Sequence, residues 1–146
     1  MSKIEIVRQL SHEPARVFSA LTDPAKMSQW FFCSEPGGTK VTNDLRVGGK
    51  YVVEMPHDGQ PVVIHGVYLE IVPPTKLAFT WNSTRGVKDS KVTFELSPIP
   101  KGTKLVIIHE LPEEMVPEHR EGWLVCFDNI ETFLGREFPG PEKQLS

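Results

Sequence analysis

The last long apolar stretch constrains this chain more than any other feature. Between about Glu118 and Phe138, the residues Trp123, Phe127, Ile130, Leu134 and Phe138 recur at steps of four, three, four and four, the period of one helical face. Cys126 and Phe133 widen that stripe, and Glu121, Asp128, Glu131 and Arg136 fall mostly on the other side. Pro117 suits the first turn of such a helix, where its missing N–H costs nothing, and Pro139-Gly140-Pro141 stops it. A face of large side chains needs a large apolar partner. The only candidate is the run of strands upstream, so the expectation is a helix from 117 to 138 gripped by a curved sheet.

That run of strands is legible from alternation. Ile4, Ile6 and Arg8 share one side of a strand over about 3–10. Ser11 reads as a cap before a short helix carrying Val17, Phe18 and Leu21, and Asp23-Pro24 opens a second over 24–31 with Met27, Trp30 and Phe31. With so few residues between them, the two helices form a sharp V. Ser34 to Gly38 is a loop, after which Val41, Leu45 and Val47 offer a strand ending in a bend at Gly48-Gly49. Tyr51, Val53 and Met55 alternate in the next, Asp58-Gly59 turns the hairpin, and Val62 to Val72 is a long strand that can kink at Gly66. Leu77, Phe79 and Trp81 point inward with Val92, Phe94 and Leu96, while Thr80, Asn82, Thr93 and Glu95 point out; Leu105, Ile107 and His109 close the sheet. Hairpin-length connections make these strands antiparallel neighbours, in the order β-α-α-β6-α. Residues 1–146 read as one α+β domain.

The set Ala15 to Pro24 with Trp30, Val47 to Lys50, Gly66 to Pro74, Leu77 to Trp81 and His119 to Trp123 resembles the START-like, helix-grip superfamily. Within it, the chain is similar to the branch named for the activator of the heat-shock-protein-90 ATPase, in its small single-domain bacterial form. The resemblance spans nearly the whole chain. It implies a seven-stranded antiparallel sheet wrapped around the C-terminal helix, two short helices plugging one end, and a hydrophobic cavity between helix and sheet that takes small apolar ligands.

Several functions find no support in the residues. A net charge of −3 leaves no basic footprint for nucleic acid. No apolar run approaches the ~18 residues of a membrane span and no signal peptide is visible, so cytoplasm is the expected location. Cys33 and Cys126 read as buried thiols. His109-Glu110-Leu111-Pro112-Glu113 begins like a zinc-protease helix but lacks the second histidine, and His65, His109 and His119 could meet only through folding, so no metal and no cofactor is expected. No phosphate loop or nucleophile elbow occurs.

What remains is an apolar cavity. The expected wall is Tyr51, Met55, Trp81, Phe94, His109, Trp123 and Phe127, with Trp30 and Phe31 closing the entrance from the short helices. Phe32 and Phe79 complete an aromatic set larger than one seam needs. The expected ligand is a small hydrophobic or aromatic molecule, with His109 as the polar anchor. An enzyme using His109 or Tyr68 as its acid–base group is the alternative. A protein-interaction module, presenting the acidic segment Glu110 to Glu121, is the third.

Overall fold

A computed structural model describes residues 2–31, 38–56 and 60–138 of the chain. The elements are β1 (Ser2–Leu10), α1 (Pro14–Thr22), α2 (Pro24–Trp30), β2 (Lys40–Asn43), β3 (Lys50–Met55), β4 (Val62–Val72), β5 (Lys76–Ser83), β6 (Ser90–Ile99), β7 (Gly102–Leu111) and α3 (Val116–Glu137), with a 3-10 turn at Glu113–Met115. The strands form one seven-stranded sheet ordered β1-β7-β6-β5-β4-β3-β2, antiparallel throughout. It curves around α3, which is the helix-grip arrangement. Phe32, Cys33, the loop from Ser34, the Asp58-Gly59 turn and the Pro139-Gly140-Pro141 stop lie outside the described residues.

The predicted stripe is the buried one. Trp123, Cys126, Phe127, Ile130, Phe133 and Leu134 are all buried on α3, and Pro117 sits in its first turn. Phe138, the C-cap, packs against the core but is only half-buried, with the Arg16 guanidinium 4.1 Å above its ring. Ile4 and Ile6 face the helix from β1, and Arg8 on the same side spans the edge of the core. Its guanidinium lies 5.7 Å from the Phe127 ring centre and bonds Asp128 at 2.8 Å and Glu131 at 2.9 Å on the far side of α3. Burial works against that charge, and the two carboxylates outweigh it, so the Arg8 pKa is raised. One arginine thus covers apolar surface with its stem and ties the first strand to the last helix.

Local chemistry corrects several boundaries. Helix α1 is capped at Glu13 rather than Ser11, with no side-chain cap bond, because Pro14 fills the first helical position and the Glu13 carbonyl accepts from the Arg16 and Val17 N–H groups. The second cap is as expected: Asp23 accepts from Ala25 N–H at 2.9 Å. Trp30 Nε1 donates to the Ala20 carbonyl at 2.7 Å and fastens the V that α1 and α2 make. Strand β2 is shorter than alternation implied. It ends at Asn43, and Leu45 and Val47 are exposed, because an Asp44–Arg46 ion pair at 2.7 Å and a left-handed Gly48 (φ +84°) turn the chain back into β3.

Strand polarity follows the pattern with one qualification. Leu77, Phe79, Trp81, Val92, Phe94 and Leu96 are buried, and Glu95 is exposed. Thr93 is buried as well, although alternation places it on the outer face; Ala78 and Ile108 flank it in register. Gly66 marks a tight place in the sheet. Tyr51 pairs with it across β3 and β4, and the Tyr51 hydroxyl passes on to donate to the Thr80 carbonyl of β5 at 2.6 Å. A Cβ on residue 66 would stand 2.1 Å from that carbonyl oxygen. The register then slips by a residue between Tyr68 and Glu70, so the bend occupies Gly66 and the bulge after it.

Phe127 has no solvent exposure at all. Truncating it to alanine should cost about 3–5 kcal/mol of unfolding free energy, read from urea denaturation. A loss under about 1 kcal/mol would mean that the helix does not rely on this face.

Candidate functional site

The first half of α3 is not packed solid against the sheet. Between it and the ends of β3, β4 and β5 lies a half-open pocket of about 450 Å³, within the range of small-molecule sites. Its sheet side is Met55 from β3 with Pro56 just after it, Val62 and Ile64 from β4, and Trp81 and Ser83 from β5, with Arg85 just beyond. Its helix side is Glu118, His119, Gly122, Trp123, Val125 and Cys126. Phe31, just past α2, closes one end, stacked on Trp30 at 4.9 Å and on Trp81 at 5.9 Å. A second hollow of only about 10 Å³, among Leu21, Met27, Trp30, Phe31, Tyr51, Tyr68, Leu77, Phe79 and Phe94, is too small for a ligand.

The expected wall is therefore divided. Met55, Trp81 and Trp123 line the pocket; Tyr51 and Phe94 border the small hollow instead; His109 and Phe127 border neither. Tyr51 is drawn away by its bond to Thr80, and Phe94 packs edge-on against Trp123 at 5.7 Å. Phe127 lies behind Trp123, 6.4 Å between ring centres. Ile64, His119, Gly122 and Cys126 were not foreseen. Ile64 belongs to the alternating face of β4, and His119, Gly122 and Cys126 flank Trp123 on the helix surface, so helical periodicity at 119, 122, 123 and 126 carried the signal.

His109 holds the wall from behind. It is fully buried, yet both ring nitrogens are bonded. An indole N–H can only donate, so Trp123 Nε1 gives its proton to His109 Nδ1 at 3.0 Å. That fixes the neutral Nε2–H tautomer, which donates to Ser90 Oγ at 3.0 Å, and Ser90 passes its own proton toward the Trp81 carbonyl at 3.3 Å. The relay links the two tryptophans of the pocket and leaves no proton vacancy in it. Burial first, and the nearby His119 second (ring centres 5.6 Å apart), lower the His109 pKa from 6.5 to about 3. His109 is thus a positioning group and has no open nitrogen with which to act as a base. Tyr68 is no better placed for proton transfer. Its hydroxyl accepts from Asn43 at 3.0 Å, and burial raises its pKa with only partial relief from that bond.

Two polar features of the pocket wall stand out. His119 Nδ1 donates to the Met115 carbonyl at 2.9 Å, which leaves Nε2 as the nitrogen without a hydrogen bond among the described residues. The indole N–H of Trp81, buried with its ring, has no acceptor among the described residues. Such an unmet donor costs about 1–3 kcal/mol. No group of three or more His, Cys, Asp or Glu side chains able to hold a metal occurs among the described residues.

A helix-grip domain with a half-open apolar pocket at one end of the grip is the class these features define. Residues 11–135 match the family described as activator of Hsp90 ATPase homolog 1-like protein, and the chain belongs to that family. A solved structure from Chromobacterium violaceum is 30% identical, with a TM-score of 0.78 over 89% of this chain and 94% of that one. An uncharacterised protein from Rhizobium leguminosarum is 27% identical, with a TM-score of 0.82 over 92% of this chain and 95% of its own. A Staphylococcus aureus protein of unknown function, at 20% identity and a TM-score of 0.84 over 95% and 96%, shares the fold. Comparison with curated proteins gives no match. No described helix is long and apolar enough to cross a membrane.

The His109 relay makes stability depend on pH. The unfolded histidine takes up a proton below about pH 6.5, whereas the folded one resists until about 3. Its contribution is complete above the first value and declines as pH falls toward the second, by up to ~1.4 kcal/mol per pH unit. His109→Gln keeps one acceptor and one donor but cannot titrate. Thermal denaturation should show the wild type losing Tm between pH 7 and pH 5 more steeply than this variant; parallel losses would show that His109 is not held neutral.

Proposed function

We propose that the protein binds a small, planar apolar molecule in the pocket between α3 and the ends of β3, β4 and β5. One observation carries the reading. About 450 Å³ is left open beside two tryptophans, Trp81 and Trp123, which pack on each other with ring centres 5.3 Å apart and planes tilted by 50°. The relay through His109 and Ser90 holds the Trp123 indole and the Trp81 backbone in the absence of any ligand, so little ordering of these two residues is needed on binding. Met55, Ile64, Phe31 and Cys126 supply apolar contact, and Arg85, Glu118 and His119 are the polar groups of the lining. The fold commonly serves hydrophobic ligands, which agrees with this use. Tyr51, Phe94 and Phe127 then support the wall without touching the ligand, and His109 anchors Trp123 in place of the ligand. On this reading the chain works as one cytoplasmic domain and needs no cofactor.

The test is a thermal-shift screen of planar aromatic, isoprenoid and fatty-acid compounds, paired with tryptophan fluorescence. A ligand at 100 times its Kd should stabilise the fold by about 2.7 kcal/mol and alter emission from Trp81 and Trp123. Gly122→Leu should abolish the shift by filling the pocket from the helix side. Unliganded stability should hold or rise, since glycine inside a helix costs about 1 kcal/mol relative to good helix formers. Absence of any shift or fluorescence change across the planar aromatic compounds would overturn the reading.

A further inference from the structure

One polar group of the pocket wall has an open position of fixed polarity. His119 Nδ1 lies 2.9 Å from the Met115 carbonyl, which can only accept, so the proton of the neutral ring sits on Nδ1 and Nε2 carries a lone pair. No described residue bonds Nε2. Among the described residues that are not exposed, Trp81 Nε1 is the sealed side-chain N or O atom that lacks a partner. His119 is half-buried and its Nε2 is not sealed, so this nitrogen meets open space on a residue that lines the pocket. The ring is also held in place before any ligand arrives. Besides the Met115 carbonyl, it meets His109 and Trp81 edge-on, with ring centres 5.6 Å and 6.3 Å away. Neither neighbour competes for Nε2, since both nitrogens of His109 are engaged with Trp123 and Ser90.

Resting on the binding reading above, we propose that the ligand is an uncharged planar aromatic molecule carrying a hydroxyl group, and that His119 Nε2 accepts the hydrogen bond of that hydroxyl. The remaining polar groups of the lining call for no net charge. Arg85 and Glu118 are both exposed and opposite in sign, and Ser83 Oγ already accepts the Arg85 backbone N–H at 3.0 Å. Met55, Ile64 and Phe31 meet the apolar body. A hydrocarbon of the same shape would displace water from Nε2 and give nothing back. An ether oxygen would set one lone pair against another. A site that hydrogen-bonds a hydroxyl rejects the analogue lacking it more strongly than an apolar pocket rejects a change of size.

Naphthalene, 2-naphthol and 2-methoxynaphthalene test this, being planar bicycles that differ at one position. Binding is measured at about pH 8, where free imidazole is neutral. The ratio of Kd values for naphthalene and 2-naphthol is compared in the wild type and in His119→Phe, so that hydrophobicity differences between the compounds cancel. The preference for 2-naphthol should be about tenfold larger in the wild type, as expected for one hydrogen bond. 2-Methoxynaphthalene, which offers an acceptor and no proton, should gain nothing from His119. Should His119→Phe fold poorly, nitrogen NMR of the unaltered protein reads the atom itself: 2-naphthol should move the His119 Nε2 resonance upfield, and naphthalene should leave it in place. Equal ratios in the two proteins, a gain for the ether that matches the gain for the alcohol, or an Nε2 resonance indifferent to 2-naphthol would overturn the inference and leave the binding reading intact. If none of the three compounds binds the wild type, the planar-ligand reading itself falls, and this inference with it.

Discussion

Phe127, Ile130 and Leu134 reach zero exposure only because the sheet bends far enough to enclose them. That bend depends on the close approach at Gly66, where the Tyr51 hydroxyl crosses β4 to reach the Thr80 carbonyl and no side chain stands in its way. A flat sheet would touch α3 along one line, and much of the helix's apolar face would stay in water. Curvature and burial are therefore one event, in which backbone hydrogen bonding sets the shape and apolar contact supplies the free energy. The Arg8 clamp adds to the same enclosure, since it ties the edge strand β1 to the helix.

A polar chain runs through the same interior without disturbing it. Trp123, His109, Ser90 and the Trp81 carbonyl each have a partner of the right kind, and the direction of every proton follows from the indole at one end. Buried polar groups arranged this way limit where the aromatic rings can lie, which an all-apolar core of similar volume would not do. The cost is a histidine that the solvent cannot protonate without breaking the chain.

Much of the fold was readable before any coordinates because periodicities of two and three-and-a-half report burial directly. Trp123 through Leu134 and the alternating sets of β5, β6 and β7 show this. The misread stretch at Leu45 and Val47 had a strand-like pattern, but an ion pair between near neighbours and a left-handed glycine decided its path, and alternation is blind to both. The site was less legible for a related reason. Inward-facing aromatics are the same residues whether they meet a ligand or one another. Tyr51 and Phe94 were assigned to the wall because they point inward, yet whether inward space is filled depends on contacts among Leu77, Phe79 and Tyr68, which lie distant in sequence. His109 illustrates the limit most plainly. Its inward direction could be read, and its bonds to Trp123 and Ser90 could not.

The pocket and the packed seam divide α3 along its length. Glu118, His119, Gly122, Trp123, Val125 and Cys126 border open space, whereas Phe127, Ile130, Phe133 and Leu134 are buried in the core. Open space and structural integrity thus belong to successive turns of a single helix. Sequence change in the earlier turns can reshape the pocket while the later turns continue to hold the domain together, and that separation gives such a scaffold room to vary there without first becoming more stable.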